Sequence, residues 1–147
     1  MAYGGAASAD TVVLRNTIRE GRAEGIFIIE SGFSWVIRNT IIDNADGIVL
    51  FDSTPFISNN SIEHNQRSGV TCCGCSFPKI ENNKIYGNAQ SGINFRDQSK
   101  ALAEGNKIYR NYYQYSARGF SRQDSRYLNE ANEIDGDVEV SANCTIF

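Results

Sequence analysis

A pattern of about 22 residues recurs along almost the whole chain and limits what the chain can fold into. Each unit is anchored by an asparagine that is followed two residues later by an isoleucine. Successive anchors are 23, 21, 23, 23 and 26 residues apart. The anchors are Asn16, Asn39, Asn60, Asn83, Asn106 and Asn132, and the isoleucines are Ile18, Ile41, Ile62, Ile85, Ile108 and Ile134. A unit this short cannot bury its apolar residues alone, so neighbouring units must stack.

Two further positions of the unit help to place its turns. Five residues after the anchor, four units carry a second asparagine: Asn44, Asn65, Asn88 and Asn111. The first and last units carry Gly21 and Asp137 at this position. A glycine before Ile or Val follows at Gly25, Gly47, Gly69 and Gly92. We expect the asparagines to form structural columns that hydrogen-bond from unit to unit. The glycines are expected at tight corners with positive φ.

Short apolar runs between these positions predict strands. Runs such as Ile26–Ile28 and Ile48–Leu50 place their first and third side chains inward and the middle one outward. A leucine-rich repeat is excluded because its leucine spacing is absent and no segment could supply its helix. The sequence therefore predicts an all-β fold, a right-handed single-stranded parallel β-helix (solenoid) of about six coils with 21–26 residues each.

The spacing N-x-I-x-x-x-x-N-x-x-x-G-[IV]-x-[ILVCF], with Pro55 and Pro78 opening coils, resembles the repeats of a known family over roughly Val13 to Val140. This is the parallel β-helix repeat family of carbohydrate-binding and sugar-hydrolase type. The pattern is most similar to the β-helical F-box substrate receptors and the Shc-binding spindle proteins. It is more remotely similar to bacterial copper-site maturation factors and alginate epimerases. The resemblance implies the fold, while the repeat records stacking and not chemistry.

The pattern also divides the chain. Residues 1–11 carry no repeat and are expected to form an N-terminal arm or partial cap. Residues 12–147 are the predicted β-helix domain. Within it, 112–128 is expected to be an irregular insertion rich in tyrosine and arginine, and 138–147 to close the stack.

Composition limits the classes of binding partner and the cellular compartment that we expect for this chain. The chain has 147 residues and a net charge of −3, which disfavours a nucleic-acid partner. Its apolar runs are shorter than a membrane span, and its first ten residues do not resemble a secretion signal. We therefore expect no nucleic-acid or membrane partner and a cytoplasmic, intracellular location, for a complete protein or a part of a longer one.

Metal ligands are sparse in the sequence. Cys72, Cys73 and Cys75 with His64 do not have the ordered spacing of a zinc site, and Cys72 belongs to an inward column. Alternating carboxylates in the last coil could hold calcium but are typical of a solvated edge: Glu133, Asp135, Asp137 and Glu139. We predict no metal and no cofactor.

Apolar residues occupy outward positions of the first two coils, where later coils carry polar residues such as Ser58, Glu81 and Asn94. They form three columns: Leu14 and Ile37, Phe27 and Val49, Ile29 and Phe51. Phe33 and Trp35 are expected in the connecting turn. Such a patch indicates a covered surface. The cover is either the arm or other sequence of the parent protein, or a protein partner, and the six residues are the predicted protein-binding site.

Aromatic residues near the insertion suggest a second site. Five residues could stack on a ligand such as a sugar ring or an exposed base, or could form a protein-interface hot spot: Tyr86, Tyr109, Tyr112, Tyr113 and Arg118. The alternative is that the insertion caps the rod.

Two functions remain. The first is a non-catalytic protein-interaction or scaffold module, alone or as part of a larger protein or assembly, with no catalytic residues. The alternative is a polysaccharide-active or carbohydrate-binding protein of epimerase, lyase or hydrolase type. Such an enzyme needs a carboxylate converging with Lys, Arg or Tyr on one face. The best set in the sequence is thin, so enzyme activity is left open but disfavoured: Tyr86, Tyr109 and Arg96 with Asp97.

Overall fold

The structure is a computed structural model that describes residues 3–4, 11–118 and 123–140. These residues form three parallel sheets. Sheet A contains β1 (Tyr3–Gly4), β4 (Ile26–Ile29), β7 (Ile48–Phe51), β10 (Val70–Cys73), β13 (Ser91–Phe95), β16 (Tyr113–Ala117) and β18 (Glu139–Val140). Sheet B contains β2 (Val12–Leu14), β5 (Trp35–Ile37), β8 (Phe56–Ser58), β11 (Lys79–Glu81) and β14 (Leu102–Glu104). Sheet C contains β3 (Thr17–Arg19), β6 (Thr40–Ile42), β9 (Ser61–Glu63), β12 (Lys84–Tyr86), β15 (Lys107–Tyr109) and β17 (Glu133–Asp135).

The chain winds through the sheets in the order B, C, A, and each strand pairs with its equivalent one coil away. This is the predicted parallel β-helix. Five coils carry a strand in all three sheets. In the sixth, the helix α1 (Ser125–Ala131) occupies the place of the sheet B strand, before β17 and β18. The prediction of about six coils therefore corresponds to five complete coils and a modified last one.

The predicted isoleucine column forms the centre of the core. Ile18 and Ile134, at the two ends of the column, are partly buried. The four inner members are fully buried: Ile41, Ile62, Ile85 and Ile108. Each pairs in register with the next through sheet C. Because every coil adds one such layer, the core is continuous along the rod.

The anchor asparagines form a hydrogen-bonded ladder. The Asn83 Oδ1 accepts from the backbone N–H and the Nδ2 of Asn60, both at 2.9 Å. The Asn83 Nδ2 donates to the Ile57 carbonyl at 3.0 Å and to the Asn106 Oδ1 at 2.9 Å. Such links join Asn16 to Asn132, and the second asparagine column repeats them from Asn44 to Asn111. The predicted structural role of both columns is confirmed.

The repeated glycines have a different role from the one expected. Gly25, Gly47, Gly69 and Gly92 do not adopt positive φ. A Cβ on Gly69 would lie 2.8 Å from the Gly92 carbonyl oxygen and 2.8 Å from the Ile85 Cγ2. Glycine is required there because the next coil approaches too closely for a side chain. The prediction of positive φ was wrong.

Positive φ occurs instead at residues that end the strands, most of which are not glycine. Before each anchor asparagine except Asn132, one residue has φ between 54° and 65°: Arg15, Arg38, Asn59, Asn82 and Gly105. A left-handed residue turns the chain sharply at some energetic cost. The following asparagine ladder offsets this cost by fixing the backbone of the turn.

Side chains near the C-terminus end both ladders. The Gln114 Oε1 accepts from the backbone N–H and the Nδ2 of Asn111, at 3.2 and 3.1 Å, and so takes the place of a further asparagine. The Asn132 Nδ2 donates to the Leu128 carbonyl in α1 at 2.9 Å. Of the segment 112–128, the described residues thus include β16 and the start of α1, whose Leu128 is fully buried. The closing segment 138–147 is described only through β18.

We predict that replacing one ladder asparagine in the middle of the rod destabilises the protein strongly. Asn83→Ala leaves several buried donors and acceptors without partners, and each costs about 1–3 kcal/mol. We expect a loss of at least about 3 kcal/mol in the free energy of unfolding, measured by urea denaturation.

Asn16→Ala is the matched control. Asn16 is exposed at the first coil, and among the described residues its side chain donates to the Leu14 carbonyl and the Asn39 Oδ1. We expect a loss below about 1 kcal/mol. Equal losses in the two variants would show that the ladder does not stabilise the fold.

Candidate functional site

The six apolar residues predicted to bind protein lie on two sheets. Leu14 and Ile37 are register partners on sheet B. Phe27 with Val49 and Ile29 with Phe51 are register partners on sheet A. All six are half-buried or exposed, so the alternation assigned their direction correctly. The predicted site is therefore divided between two faces.

On sheet B the apolar residues form a larger exposed surface than the sequence suggested. We call it the sheet B apolar surface, and its members are Val12, Leu14, Trp35, Ile37 and Phe56. Val12 is 61% exposed, Trp35 50% and Leu14 46%. The rings of Trp35 and Phe56 meet edge to face with centroids 6.1 Å apart. The next coil replaces the surface with the ion pair between Lys79 and Glu81.

Two members of this surface were missed and one residue was misplaced at the sequence level. Val12 and Phe56 lie two residues before outward positions already identified, so the same alternation could have found them. Trp35 was expected in a turn but is the first residue of β5. The turn expectation failed because the strand begins directly after the buried Ser34.

The five predicted ligand-stacking residues also separate. Tyr86 and Tyr109 are register partners on sheet C, with rings 5.0 Å apart and 2° from parallel. Tyr112 directly precedes the sheet A strand β16, Tyr113 is its first residue and Arg118 directly follows it. The two groups therefore lie on different sheets.

The orientation of the Tyr86 ring is fixed by Glu63. The Tyr86 hydroxyl donates to Glu63 Oε2, and the other carboxylate oxygen accepts from the Ser61 hydroxyl at 2.9 Å. His64 packs its ring edge-on against Tyr86 at 5.5 Å, and its Nδ1 lies 3.3 Å from Glu63 Oε2. The hydrogen bond to Glu63 raises the pKa of Tyr86 above its ordinary value, with burial adding to it. These contacts hold the ring of Tyr86 and, through stacking, that of Tyr109.

A polar cleft follows the outer face of sheet A in the later coils. Two adjoining cavities of about 390 and 270 Å³ share Gln90 and Arg118. The other lining residues are Asn94, Arg96 and Asp97 in the first cavity and Ser91, Tyr112 and Tyr113 in the second. We call this the sheet A cleft.

One ion pair at this cleft meets the geometric condition set for the enzyme alternative. The Arg118 Nε donates to Glu139 Oε2 at 2.7 Å. Burial raises the pKa of Tyr113, with the Glu139 charge as the second cause. The cleft can bind a polar ligand through Arg96 and Arg118. The Glu139 Oε2, however, is already bound by both the Nε and an Nη of Arg118.

The thiols and carboxylates give no metal centre among residues 3–4, 11–118 and 123–140. Cys72 is buried, Cys73 half-buried and Cys75 exposed, all as free thiols. Burial raises the pKa of the Cys72 thiol, in keeping with its inward column. Cys144 lies outside the described residues.

Comparison with known proteins gives one match. A family model described as a right-handed β-helix region matches residues 3–134. No curated protein and no solved structure matches the chain significantly. In the part of the chain that the structure describes, no helix is long and apolar enough to cross a membrane.

We predict that Glu63→Gln lowers the pKa of Tyr86 toward its ordinary value, because the charge beside the phenol is removed. The measurement is an NMR titration of the tyrosine ring carbons at alkaline pH. Glu81→Gln, on sheet B, is the control and should leave Tyr86 unchanged. An unchanged Tyr86 pKa in Glu63→Gln would contradict the assigned hydrogen bond.

Proposed function

The chain belongs to the right-handed β-helix family, and on this scaffold we propose a non-catalytic protein-binding module. The proposal rests on the sheet B apolar surface, where Val12, Leu14 and Trp35 are 61%, 46% and 50% exposed. Burying one large apolar side chain contributes about 1.5–3 kcal/mol, so a partner covering these residues gains a substantial free energy.

The fold itself does not require apolar residues at these positions. The column that begins with Leu14 and Ile37 continues with Ser58, Glu81 and Glu104 in equally regular strands. The apolar members of this column, Leu14 and Ile37, therefore indicate a surface that is covered by another molecule. The ladders hold this surface rigid, which lowers the entropy lost on binding.

The repeat pattern supports an interaction role as well. It is similar to the β-helical F-box substrate receptors and the Shc-binding spindle proteins, which implies a module that presents a surface to other proteins. We propose such a partner for this chain, in a cytoplasmic setting and without a cofactor, a nucleic acid or a membrane.

The test is capture of partners from a native extract by the immobilised protein. Leu14→Ser combined with Trp35→Ser should abolish recovery of a defined protein that the unchanged chain retains. Phe27→Ser combined with Val49→Ser measures the share of sheet A in the same experiment. Leu102→Ser removes an exposed apolar residue of sheet B in the fifth coil and is the matched control.

Thermal unfolding of each variant accompanies the capture. A binding surface predicts lost recovery with a melting temperature within a few degrees of the unchanged chain, because these side chains are already exposed. A large fall in melting temperature would mean that the chain covers the surface itself, and the proposal would fail. Recovery unaffected by both double variants would also reject it.

A second candidate function is carbohydrate binding in the sheet A cleft. The observation that favours it is the pairing of Arg96 and Arg118 with Tyr112 and Tyr113 along one open cleft. Arginines bind carboxylate groups and tyrosine faces stack on sugar rings. An acidic oligosaccharide is the ligand class that fits both.

We predict that uronate oligosaccharides bind without being converted. Arg96→Ala should weaken binding in calorimetric titrations, whereas Arg38→Ala, on another face, should not. Incubation with alginate or pectin should give neither shorter chains nor unsaturated ends. Turnover that disappears in Arg118→Ala would overturn the non-catalytic assignment.

A further inference from the structure

A cleft on sheet C is separate from the surfaces used so far. It has a volume of about 320 Å³ and extends across the fourth, fifth and sixth coils. It is lined by Lys84, Lys107, Tyr109, Glu133 and Asp135. Its cations are lysines, whereas those of the sheet A cleft are arginines, and it contains two carboxylates instead of one.

One face of the Tyr109 ring has a partner and the other is next to the cleft. Tyr86 stacks on the first face at 5.0 Å, and Tyr86 is itself held by Glu63. No other ring of the described residues contacts Tyr109. The two-ring stack is therefore a fixed platform that ends at the fifth coil.

The next position in this column, in the sixth coil, is Asp135, the register partner of Tyr109. Neighbouring strands of a sheet are about 4.8 Å apart. The side chains of Tyr109 and Asp135 are therefore separated along the rod by nearly the distance between two stacked aromatic rings. An aspartate is much shorter than a tyrosine. A flat group in the layer of Asp135 can therefore lie over the outer part of the Tyr109 ring, with its edge toward the carboxylate.

The charges of the cleft select among flat groups. Lys107 Nζ pairs with Glu133 Oε2 at 3.1 Å, which neutralises both. Asp135 is exposed and forms no ion pair or side-chain hydrogen bond with another described residue. The Lys84 side chain also lines the cleft, but the side chain in the same column as Tyr109 is the Asp135 carboxylate. The group that completes the stack over Tyr109 should then be cationic, flat, and able to donate N–H bonds in its own plane. A guanidinium has these three properties, whereas an ammonium is not flat and a neutral planar group lacks the charge that attracts the carboxylate.

We propose that Tyr109 and Asp135 form a recognition slot for an arginine side chain of a partner protein. The guanidinium stacks on Tyr109 and donates two hydrogen bonds to the Asp135 carboxylate. The slot lies on sheet C and does not depend on the sheet B apolar surface. Either proposal can fail without the other.

The probe is the tripeptide acetyl-Gly-Arg-Gly-amide, titrated into the protein and followed by ¹H–¹⁵N NMR. We expect saturable shifts of the backbone amides of β15 and β17. The lysine tripeptide should bind at least about tenfold more weakly, because it lacks the planar fork. The citrulline tripeptide, which is flat but neutral, should also bind at least about tenfold more weakly.

Two single substitutions isolate the slot from the general charge of the last coil. Asp135→Asn should weaken arginine binding at least about tenfold. Asp137→Asn makes the same change in net charge two residues away, outside the cleft, and should leave binding unchanged. Tyr109→Leu, which retains a large side chain, should also weaken binding, and its NMR spectrum reports whether the fold is intact.

Three results would overturn the proposal. Absence of shifts in β15 and β17 would remove the site. Equal binding of the arginine and lysine tripeptides, or equal loss in Asp135→Asn and Asp137→Asn, would show non-specific attraction. Shifts at the same amides by an uncharged oligosaccharide but not by the arginine tripeptide would assign the cleft to another ligand. None of these results bears on partner capture by the sheet B apolar surface.

Discussion

The hydrogen bonds between asparagine side chains set the register on which the rest of the molecule depends. In the interior of each ladder, an Oδ1 accepts two bonds from the coil before, and an Nδ2 donates to a backbone carbonyl of that coil and to the next Oδ1. All four positions of a buried amide are thereby satisfied. A slip of one residue would leave every one of them without a partner, which is costly in a dry interior.

This constraint explains two other features of the coils. The asparagine column holds turns in which residues such as Arg38 and Asn82 adopt left-handed backbone conformations that are otherwise unfavourable. It also holds neighbouring coils so close that Gly47 and Gly69 have no room for a side chain. Where the sequence leaves the repeat, the ladders need other endings, and Gln114 and α1 provide them.

Local pattern was enough to predict what is repeated. The strand order, the isoleucine column and the direction of side chains such as Leu14 and Phe51 follow from period and alternation. The helix α1 was missed because its seven residues are too few for a helical stripe, although Asp124 caps it by accepting from the N–H groups of Arg126 and Tyr127.

The sites were harder to predict because they depend on which sheet a residue joins. Leu14 and Phe27 are equivalent in pattern, yet the corners between coils put them on different faces. The sheet C cleft depends on the unequal side-chain lengths of Tyr109 and Asp135 in neighbouring coils. Alternation predicts which side chains point outward but not this difference in length between coils.

The recurrence of the ladder asparagines at equivalent positions of every coil makes the length of the rod adjustable by whole coils. Joining residue 60 directly to residue 84 removes 23 residues, and Lys84 then takes the place of Ser61, its own register partner. Both ladders, the isoleucine column and the corner geometry meet again without a mismatch. Duplication or loss of one unit in a gene would therefore move the sheet B apolar surface and the Tyr109 platform apart or together in steps of about 4.8 Å, leaving the chemistry of each intact. The number of coils between two surfaces therefore sets the distance between them.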